Sequence, residues 1–192
     1  MKKLLCILLI CTCSATHGQN TIEWDGVYQL QLSDFQSPAS QIGDVTIYSL
    51  HFPSSIDFSF YMTNGEFMFT KNFNSKVKCV FQRNASSIIA PDSIIALDVL
   101  NFGRFTFDLS ELYARKLRLR LKEEKNAFSD AGFFRPVFEE IQKEYTERHA
   151  QAGKLTDIGR NDEKLKELHQ EVLAEIALLS EYCKTCKPKR KN

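Results

Sequence analysis

The chain has 192 residues, with 25 lysines and arginines against 24 aspartates and glutamates and a formal net charge of +1. That balance gives no electrostatic case for a nucleic acid or an anionic membrane as partner. The length suits one domain with a real core, and no internal repeat or low-complexity tract interrupts it.

Lys2 and Lys3 precede the apolar run Leu4 to Cys13, and small and polar residues then lead to Gly18. This is the pattern of a secretory signal peptide, too short to span a bilayer. Cleavage after Gly18 is expected, leaving Gln19 first and an exported protein, periplasmic or extracellular. Lipoprotein anchoring through Cys11 or Cys13 is the competing reading, and neither cysteine follows the small-residue motif that lipidation uses. No second apolar run is long enough to give a transmembrane segment after cleavage.

From Ile22 to about Gln82 the pattern is that of strands. Ile56, Phe58, Phe60 and Met62 alternate with Asp57, Ser59 and Tyr61, the period-two signature of a half-buried strand. Asn64-Gly65 follows, then Phe67 and Phe69, so the pair reads as a hairpin with a tight turn. Val77, Cys79 and Phe81 alternate with Lys78, Val80 and Gln82 in a further strand. The first half is therefore expected to be a small antiparallel sheet.

From Asp92 the period changes to that of helices. Phe102, Phe105, Leu109, Leu112, Tyr113 and Leu117 recur at spacings of three and four. A second helix is expected from Phe133 to about Ala150, a loop from Gln151 to Arg160, and a third helix from Asp162 to Tyr182. Leu165, Leu168, Val172, Ile176 and Leu179 form the apolar stripe of that third helix. Strands followed by helices predict an α+β domain over residues 19–182, with the sheet packed against the helices.

Loss of the signal region would leave three cysteines, Cys79, Cys183 and Cys186. Cys79 shares the apolar face of its strand and reads as a small buried hydrophobe. Cys183 and Cys186 form a Cys-x-x-Cys at the end of a helix, whereas a thioredoxin-like redox pair belongs at a helix start. They are half of a four-thiolate zinc site, so a local disulfide or free thiols are expected. Residues 183–192 form a basic tail with Lys187, Lys189, Arg190 and Lys191, read as a solvated end.

One segment carries more information than the rest. Leu100 to Leu119 contains Phe107, Asp108, Leu109, Glu111, Leu112, Tyr113, Ala114, Arg115 and Lys116, and Trp24, Asp34 and Phe35 stand upstream of it. Downstream lies Thr156-Asp-Ile-Gly159. In this order the three blocks resemble a bacterial domain-of-unknown-function family of predicted secreted zinc-dependent proteases. The resemblance implies a zincin-like fold in which a His-Glu-x-x-His helix and a third histidine from a Thr-x-His-Gly segment hold the metal. Here Phe102 and Thr106 stand at the two helix histidines, Gly103 at the glutamate and Ile158 at the third histidine. Upstream, Leu32 replaces a tryptophan and Ser37 a glycine of the family pattern.

Those replacements remove the chemistry. Two histidines four residues apart share one helix face and can ligate one zinc ion, and the glutamate acts as base towards its water. Phenylalanine and glycine offer no side-chain donor, and a threonine hydroxyl is a poor ligand beside imidazole. No metal, no cofactor and no catalytic residue is therefore expected. Of His51, His149 and His169, the last two lie in charged helical stretches and read as surface histidines, although His149 with Glu147 or Asp157 is a partial metal site on paper. Asp108 and Glu111 read more simply as ion-pair partners of Arg104, Arg115 or Lys116 than as carboxylates orienting absent ligands. No Gly-x-Ser-x-Gly and no cysteine in a nucleophile context point to another hydrolase.

The resemblance implies a non-catalytic binding or interaction module of the bacterial cell envelope, engaging a peptide or an envelope protein near Phe102, Thr106 and Ile158. The alternatives are a metallohydrolase with non-standard ligands and a structural envelope protein.

Overall fold

Asp92 begins the central element of the molecule. Its carboxylate accepts from the backbone N–H groups of Ile94 and Ile95 at 2.8 and 2.9 Å, satisfying two donors that a helix start leaves open. Helix α1 then runs from Ser93 to Glu124. Apolar residues are buried almost all round it, among them Val99, Phe105, Leu109, Leu112 and Leu117. Such a helix belongs inside a protein rather than on its surface. Each fully buried leucine or phenylalanine contributes about 1.5 to 3 kcal/mol.

The computed structural model describes residues 20–53, 55–57, 68–125 and 132–187. Six short strands precede α1: β1 (Thr21–Glu23), β2 (Gln41–Ile42), β3 (Ser49–His51), β4 (Ser55–Asp57), β5 (Lys78–Gln82) and β6 (Ser87–Ala90). They form two three-stranded sheets rather than the one antiparallel sheet expected. The first, in the order β1-β5-β4, is antiparallel throughout. The second, in the order β2-β6-β3, is mixed, because β2 runs parallel to β6. A short 3-10 turn, Arg83–Ala85, joins β5 to β6 and carries the chain from one sheet to the other.

Helix α2 covers Phe134–Thr156 and α3 covers Asp162–Leu178, followed by a 3-10 turn at Ser180–Tyr182. Both pack on α1, which also touches both sheets, so α1 is the middle layer between strands and helices. The domain is α+β. Among the described residues no helix is long and apolar enough to cross a membrane.

Strand β5 keeps the predicted alternation, with Val77, Cys79 and Phe81 buried and Lys78, Val80 and Gln82 half-buried. Three expectations change. Gln151 to Thr156 continue α2 instead of forming a loop, because Gly153 lies under the Phe102 ring and joins the helix packing. The third helix ends at Leu178 and tightens to a 3-10 turn before Tyr182. Phe69 has helical backbone and is 84% exposed, so it is not the return strand of a hairpin. Ile56 and Asp57 do lie in β4, while Phe58 to Phe67, with the Asn64-Gly65 turn, fall outside the described residues.

Candidate functional site

Of the four positions that the resemblance equates with zinc-site residues, Phe102, Gly103 and Thr106 are buried and Ile158 is half-buried. Phe102 is buried, its ring 5.6 Å from that of Phe105 and 5.4 Å from that of His149. Thr106 is completely buried and donates its hydroxyl to the Phe102 carbonyl at 2.8 Å, closing the hydrogen bond within its own helix. Gly103 faces Phe35: a Cβ added there would lie 3.2 Å from the Phe35 Cζ. Phe35 thus occupies the space into which a side chain at residue 103 would project.

Ile158 arrives by an unusual turn. Thr156 ends α2, and Asp157, Ile158 and Gly159 follow with φ of 49°, 53° and 99°. A β-branched residue in the left-handed region is strained. Gly159 is required where it stands, since a Cβ would fall 2.1 Å from the Asp98 carbonyl oxygen and 3.3 Å from the Phe102 Cβ. The turn is pinned from three directions. Thr156 accepts the Asn161 N–H at its carbonyl at 2.8 Å, Tyr48 donates its hydroxyl to Asp157 at 2.7 Å, and half-buried Ile158 packs on the core. The 156–159 turn and the Phe102 turn of α1 are thereby brought together.

His149 and His169 are not the surface groups expected. His149 lies parallel to the Tyr145 ring at 5.8 Å, its Nε2 is buried without a hydrogen-bond partner, and burial pushes its pKa below the usual 6.5. His169 on α3 pairs through Nε2 with Asp108 at 2.6 Å and sits edge-on to Phe105. The other oxygen of Asp108 accepts from the Trp24 indole N–H, also at 2.6 Å. Asp108 therefore ties the first strand region to α3, and its partners are neither Arg104, Arg115 nor Lys116. His51 is exposed on β3. Among the described residues no group of three or more His, Cys, Asp or Glu side chains converges as a metal would require. His149, Glu147 and Asp157 do not assemble into one.

Glu111 does pair with Arg115, at 2.9 Å, and also with Arg118 two turns away, at 2.8 Å. All three are buried. Arg115 donates to the carbonyls of Ile176 and Leu179, which the end of α3 leaves open, and stands 5.4 Å over the Trp24 ring. Arg118 donates twice to the Val77 carbonyl and once to that of Tyr182. Tyr113 of the same block is buried and stacks edge-on against Tyr145 at 5.7 Å. The block from Phe107 to Lys116 is thus a clamp joining β5, α1 and the end of α3.

Asp34 is equally architectural. It accepts from the Gln31 N–H at 2.8 Å and the Tyr28 hydroxyl at 2.9 Å, and pairs with Arg83 at 3.2 Å. Phe35 beside it packs edge-on against Phe81. Cys183 and Cys186 are joined in a disulfide, whose turn is held by Asn72 and Asn74 donating to the Cys186 carbonyl. Lys184 pairs with Glu23 beside it. Cys79 is a buried free thiol, its pKa raised well above the ordinary value by burial.

Open space lies on another face of α1. A groove of about 460 Å³ runs between α2 and α3 over Phe105 and Tyr113, and neither Phe102, Thr106 nor Ile158 lines it. Its position depends on how α2 and α3 face each other, so no local pattern in the sequence announces it. No family model, curated protein or solved structure matches this chain.

Proposed function

We propose that this is an exported, non-catalytic binding protein of the bacterial envelope, built on the scaffold of a secreted zinc protease whose ligand positions have been filled. Its partner is a peptide or an envelope protein. The observation that supports the scaffold most is the turn at Asp157, Ile158 and Gly159. It holds residue 158 in a left-handed conformation beside the Phe102 turn, although isoleucine gains nothing from that backbone. A turn kept against the preference of its own side chain fits a site that once required the shape. Phe102, Thr106 and Phe35 then account for the missing chemistry as packing.

The test is to return the imidazoles. Phe102→His, Thr106→His and Ile158→His together should create zinc affinity absent from the wild type, read by calorimetry and by a zinc-dependent rise in melting temperature. Gly103 stays unchanged, because the Phe35 ring occupies that space, and no peptidase activity is expected without a carboxylate there. The apo variant should be less stable, since loss of a buried phenylalanine costs about 3 to 5 kcal/mol. A folded triple variant that binds zinc no better than wild type would withdraw the scaffold reading.

A further inference from the structure

The groove between α2 and α3 has the chemistry of a particular ligand. Its floor is apolar, made by Phe105 of α1, Ala152 of α2 and Leu168 of α3. Three carboxylates line it, Glu144 and Glu147 from α2 and Glu171 from α3, against one lining cation, Arg148. The Arg148 guanidinium is already held by Glu175 at 2.7 Å. Glu175 also takes Lys116 at 3.1 Å, and these two hydrogen-bonded cations outweigh the effect of its burial and lower its pKa. That cluster sets two cations against one carboxylate, an excess of one, and the three lining carboxylates still leave the groove acidic.

Dimensions narrow the occupant further. Glu144 at one end and Leu155 at the other are eleven residues apart on α2, about 16 Å at the helical rise. An extended segment of about five residues spans that length. Leu155 is 44% exposed where the groove opens, an apolar contact left for something else. The volume falls in the range of ligand pockets rather than of packing defects. Charge complementarity selects a cation, and the floor selects an apolar neighbour for it.

We infer that the groove binds a short basic peptide segment of a partner protein, with a lysine or arginine among Glu144, Glu147 and Glu171 and an adjacent apolar side chain on Phe105 and Leu168. This names the partner chemistry for the binding role proposed above and rests on that reading.

The probe is a fluorescein-labelled hexapeptide alternating lysine with leucine, followed by fluorescence anisotropy. The protein should bind it saturably, and Glu144→Gln, Glu147→Gln and Glu171→Gln together should weaken binding at least tenfold. A control at carboxylates that do not line the groove, Asp44→Asn, Glu139→Gln and Glu163→Gln, makes the same charge change and should stay within twofold. All six side chains are half-buried or exposed, and both variants should melt like wild type. Equal weakening in the two variants would mean diffuse charge attraction and overturn the site. Equal binding of a peptide with glutamate in place of lysine would overturn the basic occupant. A tenfold gain on removing residues 187–192 would show the chain's own tail in the groove and overturn the partner. Zinc affinity and peptide affinity fail separately: zinc uptake by the histidine variant without peptide binding removes only the groove proposal, and the reverse removes only the scaffold.

Discussion

Along α1, the turn from Phe102 to Thr106 buries no charged side chain, whereas the turns from Glu111 to Arg118 bury three, Glu111, Arg115 and Arg118. Their surroundings differ. Arg115 and Arg118 end on main-chain carbonyls of Val77, Ile176, Leu179 and Tyr182, acceptors that stay in place whatever side chains surround them. The Phe102 side chain meets the rings of Phe105 and His149 and lies against Gly153 and Gly159. Polar groups with fixed polar neighbours cannot be given up singly, because the remaining partners would be stranded in the core. An apolar residue can settle wherever no such debt exists.

That contrast is open to attack at its stronger end first. Glu111→Ala should cost about 3 to 5 kcal/mol in a denaturant titration, since it leaves two buried guanidinium groups without their carboxylate. Phe102→Leu, a volume-tolerant change in the apolar turn, should cost less than about 1.5 kcal/mol. Comparable losses would show that the carbonyls alone satisfy the arginines, and the distinction between the two turns would collapse.

Next comes the place where the apolar turn meets its neighbour. Gly159→Ala should destabilise by about 2 to 3 kcal/mol, from the left-handed backbone and the collision with the Asp98 carbonyl. A melting temperature within a degree of wild type would mean that the 156–159 turn is free to move away from α1.

The smallest effect concerns His149. Its folded pKa lies below the unfolded value of about 6.5, so the unfolded chain binds more protons on acidification. The stability that neutral His149 carries is complete above that value and declines as the pH falls below it towards the folded pKa. His149→Phe keeps a ring against Tyr145 and Phe102 and should flatten the melting temperature between pH 7 and pH 5. An unchanged pH slope would place the responsible group elsewhere.

How much of this could be read beforehand depended on what each residue answers to. The period of α1 and the alternation in β5 were legible, because burial on one side of a regular element writes itself into the sequence. The strands of two to four residues carry no period, and the parallel pairing of β2 with β6 follows only from where the chain returns. Gly153 looked like a helix breaker, but its cost of about 1 kcal/mol is outweighed by packing against Phe102. The meeting of Phe102 with the Gly159 turn answers to no pattern in the residues, because it joins segments far apart in the sequence. Arg118 could have been suspected as a partner of Glu111, since residues seven apart share a helix face. The Asp108 pair with His169, 61 residues away, had no local signal at all.

The anchored disulfide turn also bears on the order in which the chain can finish folding. Asn74 is almost fully buried and donates to carbonyls of Glu181 and Cys186, and buried Arg118 needs that of Tyr182. These donors lie at least 64 residues before their acceptors in the sequence. Until residues 181–186 dock, the Asn74 side-chain amide and one N–H of Arg118 lack these acceptors and bond to water instead. Docking of that turn is therefore the step that lets this part of the core dry.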